Sequence, residues 1–168
     1  ILVHCPYQER AMSFYCRVMQ KEDIEELLDF ENKKLIEIEQ NEMEREFIKW
    51  NSRWRKESLE HYANLGWSFI ARNPELKSSF SSEGLLVGYF TAQPLLFVDG
   101  QTQSLWVEHL SYSALQARDE LVEIAYRLSR DKHFQRVYFL NNQGVINSVN
   151  AFKPESWNSQ MIYVKTTK

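Results

Sequence analysis

The residues that could do chemistry gather in one stretch, Ser104 to Leu140, which reads SLWVEHLSYS, then ALQARDELVEIAYRLSRDKHF, then QRVYFL. Its first segment carries a carboxylate and an imidazole side by side, Glu108 and His109, with Tyr112 just beyond. Alternation on a regular strand sends neighbours to opposite faces, so only one of Glu108 and His109 is expected to face a given site, and the pattern leaves open which. Arg118 falls in the first turn of the following helix. The backbone N–H groups that a helix N-terminus leaves unpaired would point there at an anion. Two β-type runs around one long helix predict a crossover, which leaves its strands parallel. An anion would be received where the first strand gives way to the helix.

Other chemistries are poorly represented. There is no G-x-S-x-G elbow, no Walker loop, no C-x-x-C and no H-E-x-x-H. His4, His61, His109 and His133 fall on separate elements, and Cys5 and Cys16 stand eleven residues apart with only His4 nearby. That pattern argues against zinc or any other metal site and for two reduced thiols in a cytoplasmic protein. A formal net charge of −3 gives no basic footprint for nucleic acid and leans towards a cationic substrate. The longest apolar runs, such as PLLFV, fall far short of the roughly 20 residues that cross a bilayer, so no membrane association is expected. The opening ILVHCPYQERAM has neither the basic nor the long apolar region of a signal peptide and reads as an N-terminal extension over residues 1–12. Residues 13–168 are expected to form one domain, since 168 residues suit one ordinary core.

The elements that must position the site follow from periodicity. Ser13 to Met19 alternates as a short strand. Ile24, Leu27, Leu28, Leu35 and Ile38 recur at helical spacing from about Lys21, with a break expected near Asn32 and an extended reading open for LIEIEQ. Met43, Phe47, Trp50, Trp54, Tyr62 and Leu65 mark one face of a single helix over 42–65, so Trp50 and Trp54 read as core. Gly66 stands where a left-handed residue would end that helix. Trp67 to Asn73 is a strand, and Pro74 to Gly84 a polar loop. Two further strands bracket Asp99-Gly100, a hairpin dipeptide, with Pro94 marking a bulge or an edge. After the crossover helix and QRVYFL come at most a short helix at Asn147 to Phe152 and a last strand, Met161 to Thr166. The fold class is α/β with a mixed, mostly antiparallel twisted sheet flanked by helices.

This order of elements, together with FYCRVMQKEDIEELL, GLLVGYFTAQP and LWVEHLSYSALQARDELVEIAYRL, resembles the GNAT superfamily of acyl-CoA-dependent N-acyltransferases from Ser13 to Thr166. The resemblance implies transfer of an acetyl or other acyl group from acyl-CoA to the amine of a small molecule or protein, in a chain whose oligomeric state stays open, a dimer included. It also implies that CoA phosphates meet a turn reading Gln or Arg, two residues, Gly, any residue, then Gly or Ala. Here that turn falls on Ser113, Ala114, Leu115, Gln116, Ala117 and Arg118, without a glycine, so Gln116 stands where a backbone should come close and Arg118 is the compensating cation. The pantetheine arm would bond to the backbone of Glu108 through Ser111, Leu110 included, and Asn142 matches the leading Asn of the family's pattern after the fifth strand. The resemblance makes Glu108 the base and calls for a tyrosine acid after the fifth strand. None stands between Tyr138 and Tyr163, which leaves Tyr112 as its substitute. The run Glu37, Glu39, Glu42, Glu44 and Glu46 reads as a solvated helix face, or, if it borders the acceptor entrance, as favouring a polyamine or protein amine. The two departures leave a second reading, a GNAT-like binding or interaction module without catalysis.

Overall fold

A computed structural model of the chain describes residues 14–98 and 100–167. The N-terminal extension with His4 and Cys5 lies outside the described residues, as does Asp99. The strands are β1 (Tyr15–Val18), β2 (Phe69–Asn73), β3 (Leu85–Val98), β4 (Gln101–Tyr112), β5 (Arg136–Leu140), β6 (Glu155–Ser156) and β7 (Met161–Lys165). The helices are α1 (Ile24–Ile38), α2 (Glu42–Asn51), α3 (Lys56–Leu65), α4 (Leu115–Asp131) and α5 (Gln143–Val149). One seven-stranded sheet runs β1-β2-β3-β4-β5-β7-β6, and only β4 and β5, joined through α4, are parallel. Val98 pairs with Gln101 across the hairpin, where Gly100 takes a φ of 73° that a β-carbon would strain.

Period-2 alternation on β3 and β4 divides apolar residues between two layers. Leu105 and Val107 pack with Leu121, Val122 and Ala125 of α4 on one face. Tyr89 and Ile70 pack with Leu27 and Leu35 of α1 and Leu59 of α3 on the other. Beneath α1, Arg72 of β2 is 1% exposed and lies against Asp23, Glu26 and Glu83, which ties the start of that helix to the sheet and to the 74–84 loop.

Three expectations need correcting. α1 runs unbroken through Asn32 to Ile38, because Leu35 is buried and holds the last turns against the sheet. The helix expected over 42–65 is two. Asn51 Nδ2 donates to the Phe47 carbonyl at 2.9 Å and Ser52 Oγ to that of Lys49 at 2.8 Å, and these short polar side chains end α2. The stripe is split with it: Trp54 is 9% exposed and in the core, whereas Trp50 is 74% exposed. Gly66, with φ 75°, ends α3 as its position predicts. The third correction is α5, which starts at Gln143 rather than Asn147 because Asn142 Oδ1 accepts the Val145 amide at 3.0 Å and caps it.

Candidate active site

The site is shaped by one irregularity in β4. Thr91 pairs with His109 while its neighbour Ala92 pairs with Val107, so Glu108 is an extra residue bulged out of the ladder. Regular alternation would have separated Glu108 from His109, and the expectation that only one could face the site is overturned by this bulge. Both turn to the α1–α3 face. Glu108, 25% exposed, accepts from Arg53 Nη1 at 2.7 Å, and Arg53 stands in the connection between α2 and α3. His109 Nε2 lies 3.0 Å from Glu31 Oε1 of α1.

Glu31 is buried and also accepts a 2.7 Å hydrogen bond from Tyr89 Oη. Burial pushes its carboxyl up, but the bonds and charge of His109, with help from Tyr89 and Ser111, outweigh it and hold Glu31 below the usual range. Burial, and then the Glu31 charge, push the Tyr89 phenol well up. An ionised carboxylate only accepts, so Nε2 carries the proton and Nδ1 is the ring's other working nitrogen. Among the described residues no group of three or more His, Cys, Asp or Glu could hold a metal ion.

β4 and β5 then part. Only Ser104, Leu105 and Trp106 pair with Arg136, Val137 and Tyr138, so among the described residues no strand lies beside that edge of β4 from Val107 onwards. At the far end Lys34 of α1 donates to Ser111 Oγ at 2.7 Å and to the Tyr112 carbonyl at 3.2 Å. A cleft of about 820 Å³ opens there, bordered by Phe30, Lys34, Lys77, Ser78, Tyr112 and Ser113.

The residues expected around the cofactor turn have these places. Leu110 is half-buried against the α4 core, and Ser113 donates its backbone N–H to the Val87 carbonyl at 2.9 Å. Gln116 is exposed and Ala117 buried. α4 begins without a side-chain cap at Ala114, and its first helical bond is the Arg118 amide to the Ala114 carbonyl, which leaves the amides of Leu115, Gln116 and Ala117 ahead of the ladder. Arg118 is mostly buried: Nε and Nη2 donate to Asp119 Oδ1 at 3.0 and 2.9 Å, and Asp119 in turn accepts from Ser148 of α5. Tyr112 sits between Lys34 and Arg118, each 5.7 Å from its ring centre, with its hydroxyl against Gly144. It stands four residues beyond Glu108, about 13 Å along a strand.

An open hollow of about 570 Å³ surrounds Glu108, lined by Arg53, Arg55, Glu57, Ser58, His61 and Tyr62 among others. None of Glu37, Glu39, Glu42, Glu44 and Glu46 lines it: Glu42, Glu44 and Glu46 of α2 are exposed, and Glu37 of α1 lies instead at the cleft of about 820 Å³. Glu31, Lys34 and Arg53 escaped the reading of the sequence. Glu31 had a signal, a carboxylate four residues from both Leu27 and Leu35 on the apolar stripe of α1. Lys34 and Arg53 had none.

No family model matches this sequence, and no curated protein matches it either. Solved structures do. A GNAT-family acetyltransferase from Listeria monocytogenes superposes with a TM-score of 0.61 at 11% identity, covering 93% of this chain and 96% of its own. The PaiA N-acetyltransferase of Thermoplasma acidophilum, solved with coenzyme A, gives 0.60 at 16% identity over 92% and 99%. A mosquito arylalkylamine N-acetyltransferase-like protein gives 0.60 at 9% identity over 91% and 100%. At such identities the likeness is one of architecture: in its element order and mixed, mostly antiparallel sheet this chain has a GNAT-like α/β fold.

Proposed function

We propose that the protein transfers an acyl group from acyl-CoA to the nitrogen of an amine. The observation that carries this reading is the β4 bulge beside the parting of β4 and β5, which sets Glu108 and His109 on one face next to an unpaired strand edge. The backbone of Glu108 to Ser111 is available to an extended pantetheine arm. The uncapped amides of Leu115 to Ala117, beside Arg118, form the end that suits phosphates. In the transfer an N–C bond forms as the C–S bond breaks. The ammonium gives up two protons in all: one passes through Glu108 to solvent and the other ends on sulfur as the CoA thiol. His109, oriented by Glu31 and next to Glu108, can take that second proton on Nδ1 and pass it to the departing sulfur, and Tyr112, four residues on from Glu108 at the turn, suits a role in binding.

Release of CoA thiol from acetyl-CoA with a panel of amines, wild type against Glu108→Gln, tests the assignment. We expect a drop in kcat of about 10²- to 10⁴-fold, the contribution of a positioned acid or base. Equal rates would remove Glu108 from the mechanism. A thermal shift with CoA but no turnover with any amine would favour a binding module instead.

A further inference from the structure

We infer that the acceptor amine also carries a carboxylate, so that the substrate class is a free amino acid rather than a polyamine; this rests on the acyl-transfer reading above. The hollow around Glu108 is not the acidic pocket that a diamine would need. Arg53 already pairs with Glu108 at 2.7 Å and is 51% exposed, so its guanidinium has donors left over. Arg55 lines the same hollow, and among the described residues no carboxylate pairs with it. α3 starts at Lys56 with no side-chain cap, so the open amides of its first turn, where Ser58 lines the hollow, add the positive end of a helix.

Charge balance then selects the ligand. Arg53 and Arg55 face Glu108 and Glu57, two cations against two anions. A diamine bound there would add positive charge beside two guanidinium groups. A zwitterion exchanges the Arg53–Glu108 pair for two pairs, its ammonium on Glu108 and its carboxylate across Arg53 and Arg55, and leaves the net charge unchanged. Arginine suits that task because its planar fork matches a carboxylate. The same contact sets the amine against Glu108, where its proton must go.

The test uses sets of three compounds that share a side chain: phenylalanine, phenylalaninamide and phenethylamine, and likewise the leucine and glutamate sets, with putrescine as the diamine. In wild type, kcat/KM for the acid should exceed that for its amide on the order of tenfold to a hundredfold. In Arg53→Ala and Arg55→Gln that ratio should fall towards one, with thermal midpoints confirming that both variants fold. A purely structural role for either arginine would change all three compounds alike. Amides or putrescine used as well as the acids would overturn the inference while acyl transfer stands. If no amine releases CoA, the acyl-transfer reading falls, and calorimetric titration of phenylalanine against its amide decides the carboxylate site. Acid binding that is lost in the arginine variants keeps it; no binding of the acid at millimolar concentration removes it.

Discussion

Arg72 offers the sharpest test of how the fold holds the site. Its side chain is 1% exposed. Nη2 lies 2.6 Å from Glu26 and 3.1 Å from Asp23, Nη1 donates to the Gly84 carbonyl at 3.1 Å, and Nε approaches Glu83 at 3.3 Å without the geometry of a hydrogen bond. Arg72→Met keeps much of the volume and removes the charge. Asp23 keeps Arg17, which it meets at 2.7 Å, but Glu26 is left buried, among the described residues, with Ser78 Oγ alone at 2.7 Å. Removing one partner of a buried ion pair costs about 3 to 5 kcal/mol, because the other charge stays out of water unpaired. At about 2 to 4 °C per kcal/mol for a chain of this size, the midpoint should fall by about 6 to 20 °C. Urea unfolding at pH 7 measures the loss. Adding Glu26→Leu should then recover part of it, since the stranded carboxylate is gone, and the double-mutant cycle isolates the coupling. A loss below about 1 kcal/mol for Arg72→Met, or no recovery in the double variant, would refute the argument.

Three further outcomes follow from the same geometry. Trp54→Ala should cost about 3 to 5 kcal/mol and Trp50→Ala no more than about 0.5 kcal/mol in urea unfolding; equal losses would contradict the split of α2 from α3. Glu31 and Asp23 are both held below their ordinary values of 4.5 and 3.8, so each adds stability that is present above those values and lost as pH falls through the lower folded ones. Unfolding free energy measured between pH 7 and pH 3 should therefore drop on the acid side of about 4.5, and Glu31→Gln should flatten that drop; an unchanged profile would remove Glu31 as its source. Arg118→Ala should weaken CoA binding by about 1.5 to 3 kcal/mol in calorimetric titration, and an unchanged affinity would mean that the start of α4 is not a phosphate site of the kind proposed.

Local signals and long-range ones fared differently in this chain. The α4 crossover between β4 and β5, the hairpin ending at Gly100, the stop at Gly66 and the apolar stripe of α1 were legible in the sequence. Each depends on neighbours within one or two turns, where backbone conformation and periodicity act directly. The break between α2 and α3 was not, because the apolar stripe runs on through Trp50 and Trp54, and only the packed structure takes Trp54 into the core and leaves Trp50 outside. The bulge at Glu108 leaves no mark in SLWVEHLSYS, since it exists only in the register between β3 and β4. It is what puts Glu108 and His109 on one face. Their partners come from far along the chain: Arg53 is 55 residues from Glu108, Glu31 is 78 from His109 and Lys34 is 77 from Ser111. What the sequence determined by itself was the fold class, most of the elements in their order and the strand that carries the candidate chemistry. Which of that strand's side chains share a face, and which charges meet them, was decided by tertiary packing, because strand register and helix docking are set by burial across the whole sheet rather than by any local run of residues.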